Sequence, residues 1–161
     1  MRVLAATLGS AVLLGLGAES AGAADGSRTL RLLDVGSQNV PTINGFTFDR
    51  MPRAGDQFAI EDNLYKWAGS KRGALVGRVL GIGTFQDVSN TGATVLFFAQ
   101  AYIPGGSIDV QGYGRISFRG PSRFTFPITG GTGAFANARG SITVRDIGTA
   151  DNSSVVAHIM P

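Results

Sequence analysis

Few side chains in this sequence could do chemistry, and most of them are acids. Glu61-Asp62 is an acidic pair in a run that alternates as a strand. Neighbours in a strand face opposite ways, so one of the two can point into an interior while the other meets solvent. A carboxyl group turned inward is desolvated, its pKa rises, and it becomes a candidate general acid. Asp34, near the end of the apolar run Thr29–Val35, poses the same question. A second group is carried by Ser107–Phe118 (SIDVQGYGRISF). There Ile108 and Val110 point one way, and Asp109, Gln111, Tyr113 and Arg115 point the other, unless Gly112 or Gly114 introduces a bulge that resets the parity. On an inward face these four would form a polar site; on an outward face they are a wet surface. Arg139 is the only charged side chain in Pro127–Gly140 (PITGGTGAFANARG).

Other chemistries lack their residues. His158 is the single histidine and there is no cysteine, so thiol catalysis and the usual metal ligand sets are missing, and no metal or cofactor is expected. No G-x-S-x-G elbow accompanies His158. The GGTG of Gly130–Gly133 has neither the βαβ context and acidic partner of a dinucleotide fingerprint nor the lysine of a phosphate loop. It reads as a sharp turn, with Phe135 and Ala138 tucked against apolar neighbours, Arg139 aimed at a cavity mouth, and positive φ at one or more of its glycines.

The elements that must position these groups read as strands. Apolar alternation marks Thr29–Val35, Gln57 to about Asp62, Ala74–Gln86, Ala93–Ile103, Ser107–Phe118, Arg123–Ile128, Ser141–Ile147 and Ser154–Met160. Phe46–Asp49 reads as a short extended piece and Lys66–Gly73 as a polar loop. Among 161 residues there are 24 glycines and only 16% charged side chains, which suits an all-β chain with many turns. Eight strands at short spacing predict an eight-stranded antiparallel closed β-barrel, which removes exposed edges; an open two-sheet sandwich is the alternative. A barrel of that size encloses packed side chains or one small ligand.

Residues 1–23 read as a secretory signal peptide: Arg2, the uncharged run Val3–Ala18, then Ala21-Gly22-Ala23 as the cleavage site. The domain is then 24–161, secreted, with no membrane association after cleavage. Twelve arginines and two lysines give a net charge of +3, spread along the chain rather than gathered in a stripe, so nucleic acid is not an expected partner.

Five motifs in order resemble plant dirigent proteins and the related allene oxide cyclases: Gly55-Asp56, Glu61-Asp62-x-Leu64, Val76-Gly77-Arg78-x-x-Gly81, Gly106-Ser107-Ile108 and Ile128–Gly140. The resemblance covers about residues 29–147 and looks like that of a secreted bacterial member. It implies an eight-stranded barrel, often a homotrimer, with an apolar cavity. The activity implied is isomerase- or cyclase-like, or dirigent-like steering of coupling, on a small apolar, phenolic or polyketide-like molecule. A non-catalytic, lipocalin-like binding protein is the alternative. Asp34 resembles the acid that ends the first dirigent strand, Asp62 the second acid of a pair, and Arg139 the arginine after the GGTG loop. These residues, with Tyr113 as a hydrogen-bond donor, make the expected site. Ala134 departs from the acid that many dirigents carry directly after GGTG, and Thr125 stands where the cyclases have a tyrosine.

Overall fold

The computed structural model describes residues 26–36, 43–68, 71–148 and 152–161; the expected signal peptide lies outside them. Eight strands follow one another: β1 (Arg28–Gly36), β2 (Gln57–Ala68), β3 (Lys71–Ser89), β4 (Gly92–Ile103), β5 (Gly106–Ser117), β6 (Arg123–Gly131), β7 (Arg139–Asp146) and β8 (Asn152–Met160). Each pairs antiparallel with the next, and β1 pairs with β8, so the sheet closes on itself as a barrel. The connectivity is that of an up-and-down meander.

The alternation read from the sequence decides which side chains enter. Leu30, Leu32 and Asp34 of β1 face inward, as do Ile108 and Val110 of β5 and Ile142, Val144 and Asp146 of β7. Gly112 and Gly114 leave the parity of β5 intact, because its ladder with β4 is unbroken from Gly106 to Ser117.

Two elements depart from expectation. Lys66–Gly73 is not a loop: β2 and β3 continue pairing through Trp67 and Arg72 and through Ala68 and Lys71. Arg72 lies over the Tyr65 ring, 4.8 Å from its centroid, so a polar hairpin is held by its cross-strand contacts rather than by apolar burial. Phe46–Asp49 is not extended but part of a turn-rich connection, in which Phe46 is buried against Phe85 with ring centroids 5.5 Å apart.

The ends of the barrel differ. At the end where β1 begins and β8 finishes, the segment after β6 folds back as one 3-10 turn, Gly133–Phe135. Phe135 and Ala138 are buried there with Ile108, Ile128 and Ile159, closing the interior. Gly133 has φ +60, and a Cβ on it would lie 2.2 Å from the Gly105 carbonyl oxygen, so only glycine suits this turn. At the other end, Phe46, Phe85, Ala93 and Val95 fill the side under β3 and β4. The interior between remains a cavity.

Candidate functional site

The cavity has a volume of about 300 Å³ and runs along the barrel interior. Its walls are sorted by strand. Phe58, Phe97, Phe124 and Phe126 form an aromatic wall, with Phe97 5.4 Å from Phe124 and 5.3 Å from Phe126 between ring centroids. Glycines within the strands leave room for these rings: a Cβ on Gly83 would lie 2.2 Å from Phe58, and one on Gly114 2.4 Å from Phe124. Leucine, isoleucine, valine and alanine side chains line most of the remainder.

The polar lining gathers at the end opposite the Phe135 plug. Asp34, Ser153 and Asp146 are lateral neighbours in one layer: Asp34 pairs across β1 and β8 with Ser153, which pairs across β8 and β7 with Asp146. With neighbouring strands about 5 Å apart, Asp34 and Asp146 stand about 10 Å apart along the wall. Asp62 enters from β2, where it pairs with Gly36, two residues beyond Asp34. Among the described residues lining this space none is Lys, Arg or His.

The carboxyl groups have different surroundings. Asp146 accepts hydrogen bonds from the Ser122 amide (2.7 Å) and the Ser153 hydroxyl (3.2 Å), which tie β7, β8 and the segment before β6 together. Asp34 Oδ1 is buried and has no hydrogen-bond partner. Burial in this apolar space, reinforced by the negative charge of Asp62, pushes the Asp34 carboxyl up to about 8. Asp34 therefore carries a proton at neutral pH and can donate a hydrogen bond where an ordinary aspartate would only accept. Among the described residues, no three His, Cys, Asp or Glu side chains are grouped so that they could hold a metal ion.

Of the four residues expected to form the site, the fold brings two together. Asp34 and Asp62 both line the cavity, and Asp62 is the inward member of its pair. Tyr113 does not reach it: it is 64% exposed on the outer face of β5, because its parity is opposite to that of Ile108 and Val110. Arg139 does not aim at the cavity mouth either. Its guanidinium Nη1 donates to the Asn137 and Ala138 carbonyls (3.2 and 2.9 Å), on the outside of the plugged end and away from the acids. Asp146, Ser153 and Ser122 are cavity residues that the motifs did not single out. The signal for Asp146 was available in Ile142, Val144, Asp146, three positions sharing one face of a strand.

An antiparallel barrel that surrounds an apolar cavity, with carboxyl groups at one end and a packed plug at the other, defines a class of closed β-barrel proteins. Within that class the chain belongs to the dirigent-like family, whose model, described as dirigent-like protein, matches residues 36–160. Solved structures share the fold. A pyocyanin demethylase is 23% identical, with a TM-score of 0.61, over 82% of this chain and 99% of that one. An exo-specific intermolecular Diels-Alderase is 13% identical, with a TM-score of 0.58, over 84% and 98%. A pterocarpan synthase dirigent protein is 18% identical, with a TM-score of 0.58, over 83% and 92%. No curated protein matches the chain. No helix among the described residues is long and apolar enough to cross a membrane.

Proposed function

We propose that this barrel binds a small, largely apolar molecule in its cavity and steers its cyclisation or coupling, with Asp34 as the proton donor. The observation that carries this reading is the buried Asp34 carboxyl in an apolar cavity, with its Oδ1 lacking a hydrogen-bond partner and its pKa pushed up to about 8 by burial. A neutral carboxylic acid in a largely apolar cavity can hydrogen-bond a carbonyl or hydroxyl oxygen of a bound substrate. It can then give up its proton as charge develops on that oxygen during ring closure, and recover it when the product forms. The rigid sheet contributes orientation, holding one reactive conformer against the phenylalanine wall. Convergence of Asp34, Asp62 and Asp146 on one space favours catalysis over lipocalin-like storage. The cycloaddition and pterocarpan chemistry in the names of the structural neighbours supports the same reaction class.

The leader-like residues 1–23 support export of the mature domain 24–161 to the extracellular side. Ile82, Phe98 and Tyr113, exposed on the outer face of β3–β5, support self-association as a homotrimer, which light scattering on a sizing column would measure.

Native mass spectrometry of the purified protein tests the binding reading, alongside Phe97→Trp, which fills the cavity from its aromatic wall. The expected result is a bound small molecule, or uptake of an uncharged naphthalene dye with blue-shifted emission, in the wild type and neither in Phe97→Trp. A wild type that carries nothing and leaves the dye emission unchanged overturns it.

A further inference from the structure

Resting on this reading of the cavity, we infer that its preferred ligand is a flat aromatic cation, held between the phenylalanine wall and the carboxyl groups of Asp34 and Asp146. The first argument is the sign of the lining. A cavity built for an anionic substrate, such as a fatty acid or an aromatic carboxylate, needs an Arg, a Lys or several amide donors. Among the described residues, the ionisable side chains that line this one are Asp34, Asp62 and Asp146, and all are acids. A carboxylate ligand would meet like charge in a medium of low dielectric, where repulsion is far stronger than in water.

The second argument is how Asp146 is satisfied. Its oxygens accept from a backbone amide and a serine hydroxyl, both neutral donors. Those bonds orient the carboxyl group without bringing a positive charge to it, which a bound cation would do. The third is the aromatic wall. Phe124 and Phe126 are stacked, 5.8 Å apart between centroids with 21° between their planes, and Phe97 stands against both. Faces of aromatic rings attract cations, and do so more strongly when water is excluded. Acid and ring are also close enough for one ligand to use both. Phe124 pairs with Val144 across β6 and β7, so Asp146 is its diagonal neighbour on the inner face.

Asp34 does not weaken this arrangement. Held neutral, it adds a donor for a ring oxygen or nitrogen that bears a lone pair, beside the acceptor oxygens of Asp146.

Three bicyclic probes of matched size test the inference at pH 7 by isothermal titration calorimetry of the purified protein: N-methylquinolinium, 2-naphthol and 2-naphthoate. The expected order is cation, neutral, anion, with the cation favoured over the anion by about tenfold or more, the size of a typical charge-complementarity effect. In Asp146→Asn, checked for folding by circular dichroism, the cation should lose about that factor while 2-naphthol binds as before. If 2-naphthol binds but 2-naphthoate matches N-methylquinolinium, the charge preference is wrong and the cavity reading stands. If no probe binds, both fail. A folded Asp146→Asn with an unchanged cation preference also overturns the inference, and the wild-type order decides the matter alone should that variant not fold.

Discussion

At the scale of single residues, the proton on Asp34 links the cavity to stability. Its carboxyl titrates at about 8 in the folded chain and near 3.8 when unfolded. Below pH 3.8 both states hold the proton and nothing is lost. Between the two values the unfolded chain releases a proton that the folded chain keeps, so stability falls as pH rises, by up to about 1.4 kcal/mol per pH unit. Above the folded value the loss is complete and the slope from this group ends. Thermal melts from pH 5 to 9 should therefore show a falling Tm up to about pH 8. Asp34→Asn, which keeps the shape and removes the titration, should flatten that slope and melt above the wild type at pH 8. If Asp34→Asn follows the wild-type slope, Asp34 is not the buried acid described here. The same variant should abolish turnover while leaving binding of uncharged dyes intact, since an amide cannot give up a proton.

At the scale of elements, the loop that follows β6 holds the plug in place. Gly131 is packed so tightly that a Cβ would lie 2.3 Å from the Ser107 carbonyl oxygen and 2.7 Å from that of Phe135. Thr132 is tied to Ser107 three times: its amide donates to the Ser107 carbonyl, its hydroxyl oxygen accepts from the Ser107 amide, and the two hydroxyls are hydrogen-bonded to each other. Gly131→Val should thus push the Phe135 turn off the barrel end and destabilise by about 2 kcal/mol or more, as overpacked sites do. Gly120→Val, where a Cβ meets nothing within 4 Å, should melt close to the wild type. Similar melting temperatures for the two variants would show that the plug does not brace the fold. Much of this element was legible in the sequence, because clustered glycines beside a lone Phe135 leave few alternatives to a tight, packed turn. Arg139 was not. Motif position marks a kind of loop, but the direction of a long side chain depends on which backbone carbonyls lie near it, here those of Asn137 and Ala138. The β2–β3 hairpin was hidden for a related reason. Its tip carries Lys66, Lys71 and Arg72, which look like a loop by composition, yet pairing continues because strands that leave the core need no apolar face. Tyr113 and Asp146 were both readable from parity alone, the first as outward and the second as inward. Asp146 was missed because a single acid at a strand end also suits an ordinary turn.

At the scale of the whole molecule, stability rests on closure. Every strand pairs with its sequence neighbours, and the one long-range ladder joins β1 to β8, from Arg28 with Ile159 to Val35 with Asn152. The chain ends of the barrel are adjacent: a Cβ on Gly26 would lie 3.8 Å from the Pro161 ring. A ring of antiparallel neighbours has no privileged first strand, so the position of the termini should matter little where the connection cut is a plain turn, and much where it carries packing. The β5–β6 connection near Gly120 is exposed. The β6–β7 connection carries the buried Phe135 and Ala138. A permutant of residues 26–161, with Pro161 joined to Gly26 by a short Gly/Ser linker and new ends between Arg119 and Gly120, should keep all eight ladders and melt within a few degrees of the parent, a difference of about 1 kcal/mol. The same linkage with new ends between Thr132 and Gly133 frees the plug, uncovers Ile108, Ile128 and Ile159, and should lower Tm markedly more. Hydrogen exchange would locate the loss: protection should fall first in β5 to β7 beside the freed plug, while the β1–β8 ladder, now covalently bridged, stays slow. If both permutants melt alike, closure alone carries the barrel and the plug contributes only a lid to the cavity.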